Sequence, residues 1–359
     1  MKLDDLHIDY SKIDGYNKPF NFIVSPREDG KTTNFLCKKS KKAFFTWKRP
    51  TILFRRYSAD ITDVYIQSLE DILNKFKDDN ESNIKLLYNK GTKKEGVVDV
   101  RIKIDKEEFL IFRIIALNNP ISRIKSLFIK NAKYMFFDEF ICNARLGEKY
   151  LTGEAVKFKE CFTTFNRECE DLKAYFVGNP YSLYNPYFVE FGVDPTKMIK
   201  GEIITGNNWA AWRHILNPLL VEKIKAHNPL YTFEKDAYSK YAVEGDAIND
   251  LNVNLVSILP QNFSLKWIFK FNEKYIGIYK SNQYLENDII YWAGYIQNFS
   301  KTRNIFVFDF KDLESRGILV SRDDKNNFAH LRMAIRNRAC GVQSLEINYI
   351  LEEVYNVIW

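Results

Sequence analysis

Short apolar runs, polar turns and helical repeats alternate along the first half of the chain. Residues 21–24 are a short apolar run that ends in a polar, turn-forming stretch, and the residues after it suit a helix. Further along, one segment repeats apolar residues at helical spacing and two others suit a pair of strands. The pattern predicts strands at 21–24, 51–54, 97–104 and 108–115, and helices at 31–42 and 61–76.

Two further runs in this half are apolar at every position. Residues 134–137 end at two carboxylates, and residues 174–177 end at a Gly-Asn-Pro turn. Apolar side chains on both faces are typical of central parallel strands, which are covered on both sides. Strands that alternate with helices indicate a doubly wound α/β domain over residues 1–200, with its ligand groups at the carboxyl ends of the strands.

The second half divides into two parts. Over residues 201–256 the pattern is weaker, and Pro218 and Pro229 interrupt helical stretches such as 209–226, which indicates a small linker subdomain. Residues 257–359 predict a second α/β domain. Its expected strands are 265–271, 275–280, 289–296 and 304–308, and its expected helices are 327–338 and 345–357.

Composition fits a folded protein inside a cell. The 359 residues are 46% hydrophobic and 15% aromatic, enough for two or three cores. Five cysteines without a CxxC pair suit a reducing compartment and give no zinc pattern. No apolar run is long enough for a membrane span, so we expect no membrane partner. The net charge of +7 suits a polyanionic partner such as nucleic acid.

The turn after residues 21–24 matches the phosphate-binding pattern GxxxxGK[ST], except that Ser25 replaces the first glycine. In such a loop the backbone N–H groups and the following helix N-terminus face the phosphates. The lysine, Lys31, reaches the β and γ oxygens, and the hydroxyl of Thr32 binds Mg²⁺. The segment therefore predicts a site for ATP and Mg²⁺, with these nucleotide-binding residues: Ser25, Pro26, Arg27, Glu28, Asp29, Gly30, Lys31, Thr32 and Thr33.

The two carboxylates after residues 134–137 complete a nucleotide-hydrolysing set. Asp138 would hold Mg²⁺ together with Thr32, and Glu139 would orient and deprotonate the attacking water. Two carboxylates at a buried strand end are costly without a cation nearby. The next apolar strand ends at Asn179, which would sense the γ-phosphate. This order predicts a P-loop NTPase of the additional-strand type, with Lys31, Glu139 and Asn179 as catalytic residues.

These motifs resemble those of the viral genome-packaging ATPases, the large-terminase group. Arg27 lies three residues before the motif glycine, as in their deviant Walker A loop, and residues 52–57, 137–140 and 176–180 resemble the short packaging ATPases of small tailed phages with protein-primed genomes. The resemblance implies a homo-oligomeric ring, a pentamer, that drives double-stranded DNA into a procapsid at its portal vertex in the host cytoplasm. It also implies a trans-acting arginine, here Arg167, with Arg145 as the alternative.

The same resemblance implies a ribonuclease-H-like second domain, which as a nuclease would need acidic residues to hold two metal ions. The candidate metal strand, residues 265–271, has no acidic residue, and the remaining carboxylates, Asp288, Asp309, Asp323 and Asp324, suit surface or turn positions. We therefore expect a vestigial, non-cutting domain that serves in docking, with contact to the portal through a structural RNA. Basic residues in acid-free stretches are the candidates for nucleic-acid contact: Lys90, Lys93, Lys94, Arg332, Arg336 and Arg338.

Two other interpretations remain open. A helicase or recombination-type ATPase shares the core chemistry, although further nucleic-acid motifs are not evident in the sequence. An adaptor that binds nucleotide only as a structural ligand is the non-enzymatic alternative. Intact Lys31, Thr32, Asp138 and Glu139 count against it.

Overall fold

The structure is a computed structural model. It describes residues 6–75, 83–89, 95–126, 129–143, 146–232, 240–247, 254–271, 273–283, 289–300, 303–308, 312–320, 326–336 and 339–357. The chain divides into two compact units, residues 1–248 and 249–359. In the described segments no helix is long and apolar enough to cross a membrane.

A large, mostly parallel sheet organises the first unit. Nine strands within the described residues lie in the order β3-β4-β5-β2-β6-β7-β1-β9-β8. The pairs from β5 to β9 are parallel, whereas β3-β4-β5 at one edge and β9-β8 at the other are antiparallel. The strands are β1 Phe20–Val24, β2 Thr51–Arg55, β3 Leu86–Tyr88, β4 Val97–Ile104, β5 Glu107–Ala116, β6 Tyr134–Asp138, β7 Lys173–Gly178, β8 Ile203–Thr205 and β9 Trp209–Arg213.

The strand order confirms the predicted fold class. β7 lies between β1, which leads into the phosphate-binding motif, and β6, which ends in the two carboxylates. This is the arrangement of a P-loop NTPase with an additional central strand. Both runs that are apolar at every position are central parallel strands, as predicted.

Helices cover both faces of this sheet. They are α1 Ser11–Asp14, α2 Lys31–Asn34, α3 Lys41–Trp47, α4 Asp63–Lys75, α5 Ile121–Lys125, α6 Glu154–Asn166, α7 Pro186–Phe191 and α8 Pro218–His227, and a π-helical segment, Phe35–Ser40, joins α2 to α3. Successive strand residues point to opposite faces. Phe137 and Phe176 therefore pack with Phe158 of α6 on one face, while Phe136 packs with Phe35 on the other.

Residues 203–213 lie in the large sheet. The predicted helical stretch 209–226 is wrong in its first part: Trp209–Arg213 forms β9, which pairs with β1, and the helix begins at Pro218. Small side chains let β9 pack closely on both faces, since Ala210 and Ala211 are buried. The boundary between the two compact units falls after residue 248 in the chain, whereas the sequence predicted boundaries after residues 200 and 256. Whether the residues after β9 act as a linker stays a prediction.

The second unit is also α/β, as predicted. Its described strands lie in the order β10-β16-β13-β12-β11-β14-β15, with β11, β12 and β13 antiparallel and with β14 and β15 parallel to β11. Their bounds are β10 Asn254–Leu255, β11 Phe263–Phe271, β12 Lys274–Ser281, β13 Tyr291–Tyr295, β14 Ile305–Val307, β15 Gly317–Leu319 and β16 Cys340–Val342, and the helices are α9 Ala329–Arg336 and α10 Leu345–Val357. The ribonuclease-H-like assignment stays a prediction.

No metal-binding cluster of three or more His, Cys, Asp or Glu residues occurs among the described residues. On β11, where a nuclease would need an acid, the buried Lys270 lies 3.5 Å from the carboxylate of Glu314. Asp288, Asp309, Asp323 and Asp324 lie outside the described residues.

Candidate active site

The phosphate-binding motif forms a loop between β1 and α2. Gly30 has a φ of 71°, which favours glycine, and an added Cβ would come within 3.0 Å of the His7 ring. Ser25, which replaces the first glycine of the pattern, lies outside the left-handed region, and its N–H donates to the carbonyl of Gly178 at 3.1 Å. The backbone therefore needs glycine at position 30 and does not need it at position 25.

Three hydrogen bonds hold the side-chain ammonium group of Lys31 in place. Its Nζ donates to the carbonyl oxygens of Ser25 at 3.1 Å and Pro26 at 2.7 Å, and to Oδ1 of Asn179 at 2.9 Å. Burial lowers the pKa of Lys31 to about 8, although Asp29 and Asp138 act to raise it. The start of α2 and the end of β7 are thus joined directly.

The hydroxyl and carboxylate predicted to hold a metal ion are in contact. Thr32 Oγ1 donates to Oδ2 of Asp138 at 2.6 Å. Burial, and next the nearby Glu139, raise the pKa of Asp138. A divalent cation would offset both effects, and hydroxyl and carboxylate oxygens are ligands that Mg²⁺ prefers. The residues present therefore fit Mg²⁺.

Glu139 lies at the solvent-exposed edge of the candidate site. Its side chain is 61% exposed, and its Oε2 is 3.6 Å from Nη2 of Arg55. Its φ is 58°, in the left-handed region that a residue with a Cβ seldom adopts. Such backbone outliers are common at functional sites. One cavity of about 320 Å³ brings together most of the predicted residues, and it is lined by Arg27, Glu28, Asp29, Gly30, Lys31, Thr32, Thr33, Asp138, Glu139, Gly178 and Asn179.

Two side chains of the loop are held by residues much later in the chain. Arg27 donates to the hydroxyls of Tyr241 at 3.0 Å and Tyr181 at 2.9 Å, and the two tyrosine rings stack. Asp29 is fully buried, with Oδ2 2.7 Å from Nδ1 of His214. Tyr181 and two residues after β9, His214 and Tyr241, therefore hold these side chains of the loop. Sequence reasoning missed these contacts, because no motif spacing links such distant positions.

Arg167 is not part of this cavity. It is the exposed residue directly after α6, and the carbonyl of its neighbour Glu168 accepts from the N–H of Asn131, just before β6. Arg167 thus lies at the amino end of the sheet, opposite Glu139. Arg332 is on α9 of the second unit, and the side chain of Arg336 is not described. The other predicted residues, Arg145, Lys90, Lys93, Lys94 and Arg338, lie outside the described residues.

Two solved structures are similar to this chain over nearly its whole length. No protein-family model matches the chain. The Phi-28 gp11 DNA packaging motor is similar in structure with a TM-score of 0.66 and 15% identity, covering 99% of this chain and 98% of its own. The bacteriophage Phi-29 viral genome packaging motor assembly contains a chain with a TM-score of 0.65 and 18% identity, covering 99% of this chain and 100% of its own.

A comparison by sequence also finds a protein named for DNA packaging. The "DNA packaging protein" of Bacillus phage B103 is 23% identical over 197 residues, which is 54% of this chain. The match spans only 57% of that relative's length. The resemblance predicted from the motifs is confirmed at the level of structure: over nearly its whole length, this chain has the fold of the phage DNA-packaging motors.

Proposed function

We propose that this chain is an ATP-hydrolysing motor that translocates double-stranded DNA into a viral capsid. The observation that carries the proposal is the convergence of Lys31, Thr32, Asp138, Glu139 and Asn179 on one cavity. Each supplies a group that phosphoryl transfer to water requires. The fold around the cavity is shared with proteins named as DNA packaging motors.

Nucleotide binding begins with charge neutralisation. The Nζ of Lys31, which two carbonyls of the loop and Oδ1 of Asn179 hold in place, would donate to bound phosphates, and backbone N–H groups at the start of α2 would add further donors. Thr32 and Asp138 would hold Mg²⁺, which when bound neutralises charge on the β and γ oxygens. Fixed donors in a partly buried cavity stabilise the developing charge without reorganising during the reaction.

Hydrolysis needs a base beside the γ-phosphate. Glu139 is exposed to the cavity, so its carboxylate can orient a water molecule and accept the proton as the oxygen attacks phosphorus. Asn179 contacts Lys31 and would sense whether the γ-phosphate is present. A helicase or a recombination ATPase could share this chemistry, but the similarity to packaging motors over 99% of the chain favours packaging.

The motor would assemble as a homo-oligomeric ring, a pentamer, at the portal of a procapsid, and its basic residues would contact a structural RNA. Arg167 would act in trans. α6 is 13 residues long, about 20 Å; it begins near the Glu139 turn, and Arg167 directly follows its last residue. Because Arg167 lies at the far end of α6 from its own cavity, its proposed role in the chemistry would be in the site of a neighbouring subunit.

The test compares two variants in ATP binding and in ATP hydrolysis with and without double-stranded DNA. Lys31→Ala should abolish tight ATP binding, because it removes phosphate neutralisation. Glu139→Gln should bind ATP as the wild type does but stop hydrolysis, because only the base is lost. Hydrolysis by Glu139→Gln within a few-fold of wild type would show that Glu139 is not the base. Wild-type hydrolysis that double-stranded DNA leaves unchanged would count against a motor, and binding without hydrolysis would favour the adaptor.

A further inference from the structure

A buried ion pair lies beside the turn that carries Glu139. Arg56, the residue after β2, is 8% exposed, and Glu154, the first residue of α6, is 1% exposed. Arg56 Nε donates to Oε2 of Glu154 at 2.9 Å, and Nη2 donates to Oε1 at 3.0 Å. Such bidentate pairing fixes the relative orientation of the two groups as well as their distance.

The same guanidinium holds the backbone at the two carboxylates. Arg56 Nη1 donates to the carbonyl of Glu139 at 3.2 Å, and Nη2 donates to the carbonyl of Phe140 at 2.9 Å. On its other side, the N–H of Phe140 donates to the carbonyl of Val177 in β7 at 3.3 Å. The turn is therefore fixed between a neighbouring strand and Arg56.

Glu139 depends on this support because its backbone is in the left-handed region. A residue with a Cβ keeps that conformation only when its surroundings enforce it. The Glu139 carboxylate is largely exposed, so the backbone sets much of its direction into the cavity.

Glu154 is itself held firmly. Besides Arg56, it accepts from the N–H of Leu151 at 2.8 Å and from the hydroxyl of Tyr187 at 2.8 Å. Replacing a buried ion pair with apolar side chains is often neutral for folding, so stability alone does not account for such a pair. The hydrogen bonds of Arg56 to the carbonyls of Glu139 and Phe140 point to a role in orienting the turn.

We propose that Arg56 and Glu154 are positioning residues for the catalytic base, holding the left-handed backbone of Glu139 so that its carboxylate stays directed into the cavity. The inference rests on the proposed function, in which Glu139 is the base. Neither Arg56 nor Glu154 is among the described residues that line the cavity. Their loss should therefore affect the chemical step and leave nucleotide binding nearly unchanged.

The main experiment uses the double variant Arg56→Met/Glu154→Leu in the full chain. Removing both charges together avoids leaving one buried charge unpaired. We expect the Kd for a non-hydrolysable ATP analogue to stay within about threefold of wild type while kcat falls at least about tenfold, since misplacing a catalytic group by about 1 Å can cost on the order of 10²-fold. Arg56→Lys, which keeps the charge but loses the planar fork, should show the same split.

The matched control is Arg113→Met/Asp99→Leu. That pair joins β5 to β4 with Nε 2.5 Å from Oδ1, and it lies outside the cavity lining. The kcat of this control should equal that of wild type. A control that loses as much kcat as the Arg56 and Glu154 variants would overturn the inference, because general loosening of the sheet would then explain both.

Two further results would overturn the inference. One is a kcat within a few-fold of wild type in both Arg56 variants. The other is a loss of nucleotide affinity as large as the loss of kcat, since the pair would then maintain the whole site. Glu139→Gln, measured in parallel, separates the two proposals: if it hydrolyses ATP normally, the base assignment fails and takes this inference with it. If it is inactive while the double variant is active, only the positioning role fails.

Discussion

Gly30 offers a quantitative test of the loop geometry. Gly30→Ala adds one methyl group at a φ of 71°, where the new Cβ also comes within 3.0 Å of Cδ2 of His7. The left-handed conformation costs a residue with a Cβ about 1–2 kcal/mol. The close contact adds a further cost unless His7 moves. The total free-energy cost should therefore exceed that of a glycine-to-alanine substitution at a left-handed position with no atoms nearby.

The cost can be divided between stability and binding. If the variant loop keeps its conformation, the first unit loses the full amount, and at roughly 2–4 °C per kcal/mol its Tm falls by about 2–8 °C. If the loop relaxes instead, ATP must restore the native conformation, and about 1–2 kcal/mol raises the Kd roughly 5–30-fold. The two effects together should account for at least about 1 kcal/mol.

The assay combines thermal unfolding with titration of an ATP analogue. The transition that shifts upward with the analogue reports the nucleotide-binding unit. Gly192→Ala is the matched control, because Gly192 has a φ of 68° and a Cβ added there would have no described atom within 4 Å. It should lower the Tm by the left-handed penalty alone and leave the Kd unchanged. Replacing His7 with Ala in the Gly30→Ala background should recover the difference.

A Gly30→Ala variant that kept both the Kd and the Tm of the wild type would refute the need for glycine at position 30. That result would mean that the loop has another conformation of equal free energy that binds nucleotide equally well. A Gly30→Ala variant indistinguishable from Gly192→Ala in Tm and Kd would refute only the contribution of His7.

Three other predictions concern the chemistry and the two units. Burial lowers the pKa of Lys31 to about 8, so its ammonium group is charged below that pH. Above that pH the Kd for the ATP analogue should rise by up to about tenfold per pH unit. A Kd that does not change as the pH is raised well above that value would contradict this prediction. Mixing inactive Arg167→Ala with inactive Glu139→Gln should partly restore ATP hydrolysis where rings form, because some interfaces keep both groups. Recovery only with Arg145→Ala would identify the other arginine, and recovery with neither would remove support for trans action. Plasmid incubated with the protein and Mg²⁺ or Mn²⁺ should stay uncut, because the candidate metal strand has no carboxylate. Nicking that persists in Lys31→Ala but is lost in Asp309→Ala would contradict the prediction of a non-cutting domain.

The parts of the fold that the sequence predicted are those determined by neighbours in the chain. β6 and β7 were recognisable because both of their faces are buried, which leaves no polar position in either apolar run. The loop after β1 was recognisable because Gly30, Lys31 and Thr32 are adjacent and together match one motif. β9 was missed because its helix-compatible sequence becomes a strand only by pairing with β1.

The supporting contacts of the site could not be predicted in the same way. Arg56 and Glu154 are 98 residues apart, and Arg27 and Tyr241 are 214 apart. The local sequence marks Arg27 as part of the phosphate-binding motif, but it does not indicate that Arg27 contacts Tyr241 or that Arg56 pairs with Glu154. The path of the chain through the whole sheet brings these side chains together. The motif residues that line the cavity were therefore predictable from the sequence, whereas the residues that hold them in place were not.

α6 packs along one face of the sheet from one end of β6 to the other, with Phe158 in the core. Because its backbone hydrogen bonds are continuous, the helix behaves as a stiff rod about 20 Å long, with Glu154 at one end and Arg167 at the other. In a ring, a push on Arg167 by the adjacent subunit would be transmitted along this rod to the turn at Glu139. If the chain forms the proposed ring, mechanical load on one subunit would thereby move Glu139 in the next subunit and set the moment at which that subunit hydrolyses ATP.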